Sequence, residues 1–242
     1  MAKIEGKFEK SREKEENVIS LKRSIYKGLE NINIGGMVLG PQDIFKRNIG
    51  DTDGVLDRSS VCILGLGGLG SNIGVYLARS GIGRLVLVDF DQVEASNLNR
   101  QYYSLGHIGM KKTQALVEVI RSINPFIDLE VIDTKINRVN IMDIVKGQQI
   151  ICEALDDPAT KSMVVSEVLA NSDDKLVVAA SGMAGLGDAN LIRTRRKLSR
   201  LYICGDERSD FELIPGMMAP RVSICAGHQA NIILRLLLGL EG

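Results

Sequence analysis

The residues best suited to chemistry begin at a glycine-rich stretch, Gly65-Leu66-Gly67-Gly68-Leu69-Gly70, which directly follows the apolar run 61–64. A turn of this kind lets backbone N–H groups approach phosphate oxygens, and a helix starting there adds favourable potential for an anion. Asp89 closes the next apolar run about 20 residues on, where a carboxylate can hold ribose hydroxyls or cap a loop. Asp89-Phe90-Asp91 is followed by Asn97-Leu98-Asn99-Arg100-Gln101 and then by Gly109-Met110-Lys111-Lys112. The glycine turn already serves a dinucleotide pyrophosphate, so two further cations would be surplus there. A triphosphate would use them, the Arg100 fork and the Lys112 point charge neutralising its outer phosphates. The alternative is that both are solvated surface groups. Further on, Glu153-Ala154-Leu155-Asp156-Asp157 ends another apolar run. Asp156 is a candidate ligand for Mg²⁺, which prefers oxygen donors. Asp157, just before Pro158, reads as a helix N-cap.

These residues need a frame. Apolar, β-branched-rich runs at 61–64, 85–88, 129–132, 150–154 and 176–180 read as strands. Between them Leu69, Ile73, Tyr76 and Leu77, and then Ala115, Leu116, Val119, Ile120 and Ile123, fall at helical spacing. Strands alternating with helices predict an α/β fold, a Rossmann-like and mostly parallel sheet with flanking helices. After Ala180 come a glycine-rich stretch, a basic run over 193–200 and a loop rich in Gly, Pro and Met, and a C-terminal extension closes with a helix over about 221–240. Residues 1–30 are dense in Lys and Glu and read as a solvated helical arm ahead of a domain spanning 31–242.

Composition narrows the classes of partner. Thirty basic side chains balance 30 acidic ones, so no net field recruits nucleic acid or an anionic membrane. The chain lacks a run of about 20 apolar residues, so no membrane span is expected. Its four scattered cysteines, Cys62, Cys152, Cys204 and Cys225, fit a reduced, cytoplasmic protein better than a disulfide framework.

Taken in order, the glycine turn, Asp89-Phe90-Asp91, Asn97 to Gln101, Gly109 to Lys112, Ile123-Asn124-Pro125 and the Asp156 turn resemble the ThiF/MoeB family, bacterial relatives of the ubiquitin-activating enzymes. The resemblance covers 61–240, about three quarters of the chain. Gly216 to Arg221 and Ala226 to Asn231 further resemble a short ThiF subgroup associated with thiamine biosynthesis. The resemblance implies ATP-dependent adenylation of the C-terminal glycine of a ubiquitin-like, ThiS-like sulfur carrier ending in Gly-Gly. It places Gly65, Gly67, Gly68, Gly70, Asp89, Asp91, Asn97, Arg100 and Lys112 around ATP. Arg100, Lys112 and Asp156 become the catalytic set, with Mg²⁺ at Asp156, and a homodimer is the expected assembly.

The chain also departs from that family. Many relatives hold zinc through paired Cys-x-x-Cys motifs, which are absent, so no zinc site is expected. The Arg-Tyr-x-Arg-Gln stretch that supplies an arginine to the partner's ATP is absent too, and Lys46-Arg47 is the nearest basic feature. His107 reads as a loop cap, and His228 as a satisfied core histidine. Met217 and Met218 offer either an adaptable surface or core filling. Cys204, placed in a loop, is either a small buried hydrophobe or a link to the carrier. Competing functions are activation of a tRNA-attached carboxylate, for which the basic run is the footing, a non-catalytic nucleotide-binding module, and an NAD-dependent oxidoreductase that lacks any visible hydride-transfer partner.

Overall fold

A computed structural model describes residues 21–49, 54–209 and 216–241. Its centre is an eight-stranded sheet. In chain order the strands are β1 (Arg23–Tyr26), β4 (Ser60–Leu64), β5 (Arg84–Asp89), β6 (Asp128–Asp133), β7 (Ile150–Glu153), β8 (Leu176–Ala180), β9 (Arg193–Leu198) and β10 (Leu201–Gly205). The remaining two, β2 (Ile32–Ile34) and β3 (Met37–Leu39), pair as a separate hairpin. Across the sheet the order is β1-β6-β5-β4-β7-β8-β10-β9. The six inner strands are mutually parallel, while β1 and β9 run antiparallel at the two edges. Parallel strands covered on both faces must be apolar throughout, and the central β4 is buried from Val61 to Leu64.

Helices α1 (Pro41–Phe45), α2 (Gly68–Arg79), α3 (Lys112–Ile123), α4 (Ile141–Ile144), α5 (Pro158–Ala170) and α6 (Ala219–Leu237) complete the chain. The sheet divides the core in two. One cluster, around Ile63, Leu66, Ile73, Leu116 and Ile233, joins the sheet to α2, α3 and α6. The other, around Leu64, Val88, Ile144, Val164 and Val168, joins it to α4 and α5. From β4 the chain builds outward through β5 and β6, then returns to lay β7 on the other side of β4. The carboxyl ends of β4 and β7 therefore flank the switch point where an open sheet takes its ligand.

The five expected strands and the helices at 68–79, 112–123, 158–170 and 219–237 are present. Two expectations need correction. Residues 1–20 of the arm lie outside the described residues, but 23–26 form β1 rather than helix. The cause is a partner that the sequence does not reveal: β1 pairs with β6, Arg23 bonds Glu130, and the Tyr26 hydroxyl donates to Gln114 Oε1 at 2.7 Å. Cys204 lies in β10 rather than a loop, because Leu201-Tyr202-Ile203 pairs with β8 on one side and β9 on the other. Among the described residues no helix is long and apolar enough to cross a membrane.

Candidate functional site

The site grows from the turn between β4 and α2. Gly65 has a φ of +88°, which favours glycine, and its N–H donates to Val88 O at 2.9 Å, tying the turn to β5. Gly70 lets the first turn of α2 close against that strand end, since a Cβ there would lie 1.8 Å from Gly65 O. Gly67 is the N-cap of α2, and a Cβ on it would meet only Gln101 Nε2, at 3.8 Å. The mouth of the turn is thus open where the helix begins.

Asp89 fixes this turn from the end of β5. One carboxylate oxygen accepts from Leu66 N at 2.7 Å and the other from Asp91 N at 2.8 Å. The capping role is therefore real, and a carboxylate's roughly four acceptor positions leave capacity for hydroxyls as well. Lys112 opens α3 with its Nζ 2.8 Å from Asp91 Oδ2 and its side chain only 9% exposed. That excludes a solvated surface lysine. Arg100 is half-buried beside α2, where a Cβ on Gly68 would lie 3.5 Å from its Cγ and Cδ. Its Nη1 donates to Asn99 Oδ1 at 2.8 Å, while its Nε is buried with no protein partner. Asn97 is buried, its Oδ1 accepting from Glu94 N at 3.1 Å, so it shapes the loop that carries Arg100.

The end of β7 lies directly across the turn, where a Cβ on Gly65 would be 2.8 Å from Ala154 O. Asp156, two residues further along, is exposed. Asp157 is the N-cap of α5, accepting from Thr160 N at 2.7 Å. The structure thus brings the glycine turn, Asp89, Asp91, Arg100 and Lys112 to one mouth, with the segment bearing Asp156 alongside. His107 caps its own loop by accepting from Ser104 N at 3.0 Å. His228 is half-buried, its Nδ1 3.0 Å from Thr194 Oγ1.

Other residues build the site without a legible signal. Tyr103 is buried and donates to Leu66 O at 2.8 Å, while Asn72 donates from α2 to Gly68 O and Arg100 O at 2.7 and 3.0 Å. Burial, with Asp89 nearby, pushes the Tyr103 phenol well above its ordinary range, so it stays a neutral donor. Glu153 is fully buried, and Lys161 holds both its oxygens at 2.8 Å. Burial pushes the Glu153 carboxyl up and Lys161 pulls against it. A carboxylate ending the apolar run 150–152 is the one sequence signal that a buried cation had to follow. Next to this pair a groove of about 300 Å³ is lined by Lys161, Pro158, Ala179, Ser181 and Ile203.

The four cysteines are free and buried. Burial pushes the Cys204 thiol up to about 11, which leaves it protonated and unreactive at neutral pH. Met218 is exposed while Met217 packs against the core, so the pair divides between the two roles considered for it. Among the described residues, His, Cys, Asp and Glu do not gather in threes as a metal cluster would require.

Comparison with known proteins gives this geometry relatives. The chain is similar to the tRNA threonylcarbamoyladenosine dehydratase of Haemophilus influenzae, with 33% identity over 129 residues, 52% of this chain and 49% of that one. It is also similar to the adenylyltransferase and sulfurtransferase UBA4 of Saccharomyces cerevisiae, with 36% identity over 138 residues, 57% of this chain and 31% of that one. The chain spans about half the length, or less, of these curated relatives. Its fold matches the crystal structure of the E. coli tRNA N6-threonylcarbamoyladenosine dehydratase in complex with AMP, with a TM-score of 0.70 at 21% identity over 77% of this chain and 88% of that one. Residues 45–242 match the model of the ThiF family, and the chain belongs to that family.

Proposed function

We propose that the protein uses ATP to adenylate the C-terminal glycine carboxylate of a ubiquitin-like, ThiS-like sulfur carrier, in the assembly of the thiamine thiazole. The observation that carries this reading is the pair of cations at the mouth of one glycine turn. Lys112 is buried against Asp91, and Arg100 has a buried Nε with no protein partner. A buried donor of this kind calls for an acceptor, which a phosphate oxygen supplies. The open face at Gly67 and the fixed carboxylate of Asp89 fit the rest of a nucleotide. Asp156, exposed beside the mouth, is suited to hold Mg²⁺ together with phosphate oxygens and water, as this ion usually requires few protein ligands. The groove ending at Glu153 and Lys161 is where a narrow Gly-Gly tail would enter.

The chemistry needs no general base. The attacking carboxylate is ionised at neutral pH, so its oxygen can bond to the α-phosphorus once aligned. The bond from that phosphorus to the bridging oxygen breaks, and the electron pair leaves with pyrophosphate. Arg100 and Lys112 stabilise the charge that accumulates on the leaving group. The name of UBA4 among the relatives supports adenylyl transfer. The similarity to tRNA dehydratases favours a second reading, activation of a tRNA-attached carboxylate. Against it, Arg195 and Lys197 are paired with Glu207, and Arg200 is committed to the backbone carbonyls of Lys175 and Leu169. Those three cations have little to offer RNA.

The proposed assembly is a homodimer, supported by the exposed apolar side chains Ile34, Met37 and Val38 on the β2–β3 hairpin. Light scattering at micromolar concentrations is expected to give twice the chain mass, and a fully active monomer would overturn it. The function itself is tested by ATP–pyrophosphate exchange with purified carriers. Exchange that appears only with a carrier ending in Gly-Gly is expected. Exchange driven by tRNA alone would select the second reading.

A further inference from the structure

The basic run 193–200 does not act as one patch. As successive side chains of a strand alternate in direction, Arg195 and Lys197 turn to one face and meet Glu207 there. Thr194 and Arg196 turn to the other face, towards α6. There, β9 and β10 meet the helical ladder His228, Asn231, Ile232 and Arg235, spaced so that all four share one side of α6. Between them lies a cleft of about 470 Å³, walled by Arg193, Arg196, Tyr202, His228, Asn231 and Arg235. It stands on the outermost strands of the sheet, with β7 and β8 between it and β4, which leads into the glycine turn.

We infer that this cleft is a second ligand site, one that takes a small phosphate-bearing anion. Arg193, Arg196 and Arg235 all line it, and among the described residues no carboxylate pairs with Arg193 or Arg196. Arg196 lies over the Tyr202 ring at 5.8 Å and donates from Nη2 to Ser199 O at 3.0 Å, which holds its planar fork in place while leaving its other donors unused. The third, Arg235, shows what the cleft accepts: its partner is the carboxylate of Glu241, which comes from the chain's own tail and also lines the cleft. That carboxylate stands in for an anionic ligand and would compete with one. Asn231 adds neutral hydrogen-bonding capacity, and His228 adds a switchable one. Burial lowers the affinity of His228 for a proton, and a bound anion would restore it. The concave shape suits a compact phosphate ester, whereas an RNA backbone calls for cations spread along a track.

The chain holds two histidines, so a His107→Gln background leaves one imidazole to observe by NMR. Inorganic phosphate should shift the His228 ring signals saturably, raise their titration midpoint, and do so equally in the presence of ATP. Arg196→Gln combined with Arg235→Gln should weaken the phosphate effect about tenfold or more, as expected when charge-assisted bonds are lost. Both side chains are exposed, so folding is not at stake. Glu241→Ala should strengthen the effect severalfold by removing the competitor. His228 signals unmoved by phosphate, equal affinity in the double Arg variant, displacement of phosphate by ATP, or a response to RNA oligomers alone would each overturn the proposal. None of these outcomes depends on whether carrier adenylation is correct.

Discussion

At the scale of single residues the site separates into groups that shape it and groups free to act. Asp89 and Asn97 spend hydrogen bonds on their own loops, whereas Arg100 keeps a buried Nε for a partner. Arg100→Ala is therefore expected to reduce carrier-dependent exchange by about 30- to 1,000-fold, on the order of 2–4 kcal/mol, with nucleotide affinity falling much less. Lys112→Ala should act in the same direction but more mildly, since an ammonium lacks the bidentate fork. Asp156→Asn should remove the Mg²⁺-dependent step while calorimetry still registers nucleotide binding. Wild-type exchange in all three variants would mean that these three side chains do not carry the catalysis. Cys204→Ala should retain exchange, because a buried thiol protonated up to about pH 11 is no nucleophile at neutral pH.

At the scale of elements, the entry into α2 depends on one close approach. Gly70→Ala places a methyl group 1.8 Å from Gly65 O, so the turn must open or the helix must shift. Loss of ATP binding in calorimetry, with a lower melting temperature, is expected; a variant that binds normally would show that the turn relaxes at little cost. Five of the six inner strands and their helices were legible because burial on both faces demands continuous apolar runs, as in Ile63-Leu64 and Leu85-Val86-Leu87-Val88. Asp157-Pro158 announced α5 through local capping chemistry, which needs no distant partner. The edge strands were not legible for the converse reason. Arg23-Ser24-Ile25-Tyr26 is a strand only because β6 and Glu130 receive it, and neither is near in sequence. The same limit hid Tyr103, Asn72 and Lys161, whose roles exist only across the fold.

For the whole molecule, the edge at β1 is fastened by charge. Glu130 is buried between Arg23 and Arg84. Burial alone would raise its carboxyl, but the hydrogen bonds and charges of the two arginines outweigh this and hold it below its usual value of 4.5. A depressed carboxyl contributes stability that is fully present above its unfolded-state value and fades as pH falls through the folded one. Thermal melts should therefore steepen their loss of stability below about pH 4.5 in the wild type, and Glu130→Gln should flatten that slope while lowering stability at neutral pH. An unchanged slope would remove the cluster from the acid response. The same strand also guards against self-association of another kind. β1 covers the outer backbone of β6, whose Leu129-Glu130-Val131-Ile132 would otherwise present unpaired N–H and C=O groups in an extended row. A chain begun at residue 28 would expose that row as a template for strand-to-strand growth between molecules. Such a truncated protein should form thioflavin-positive aggregates under conditions where the longer chain stays clear.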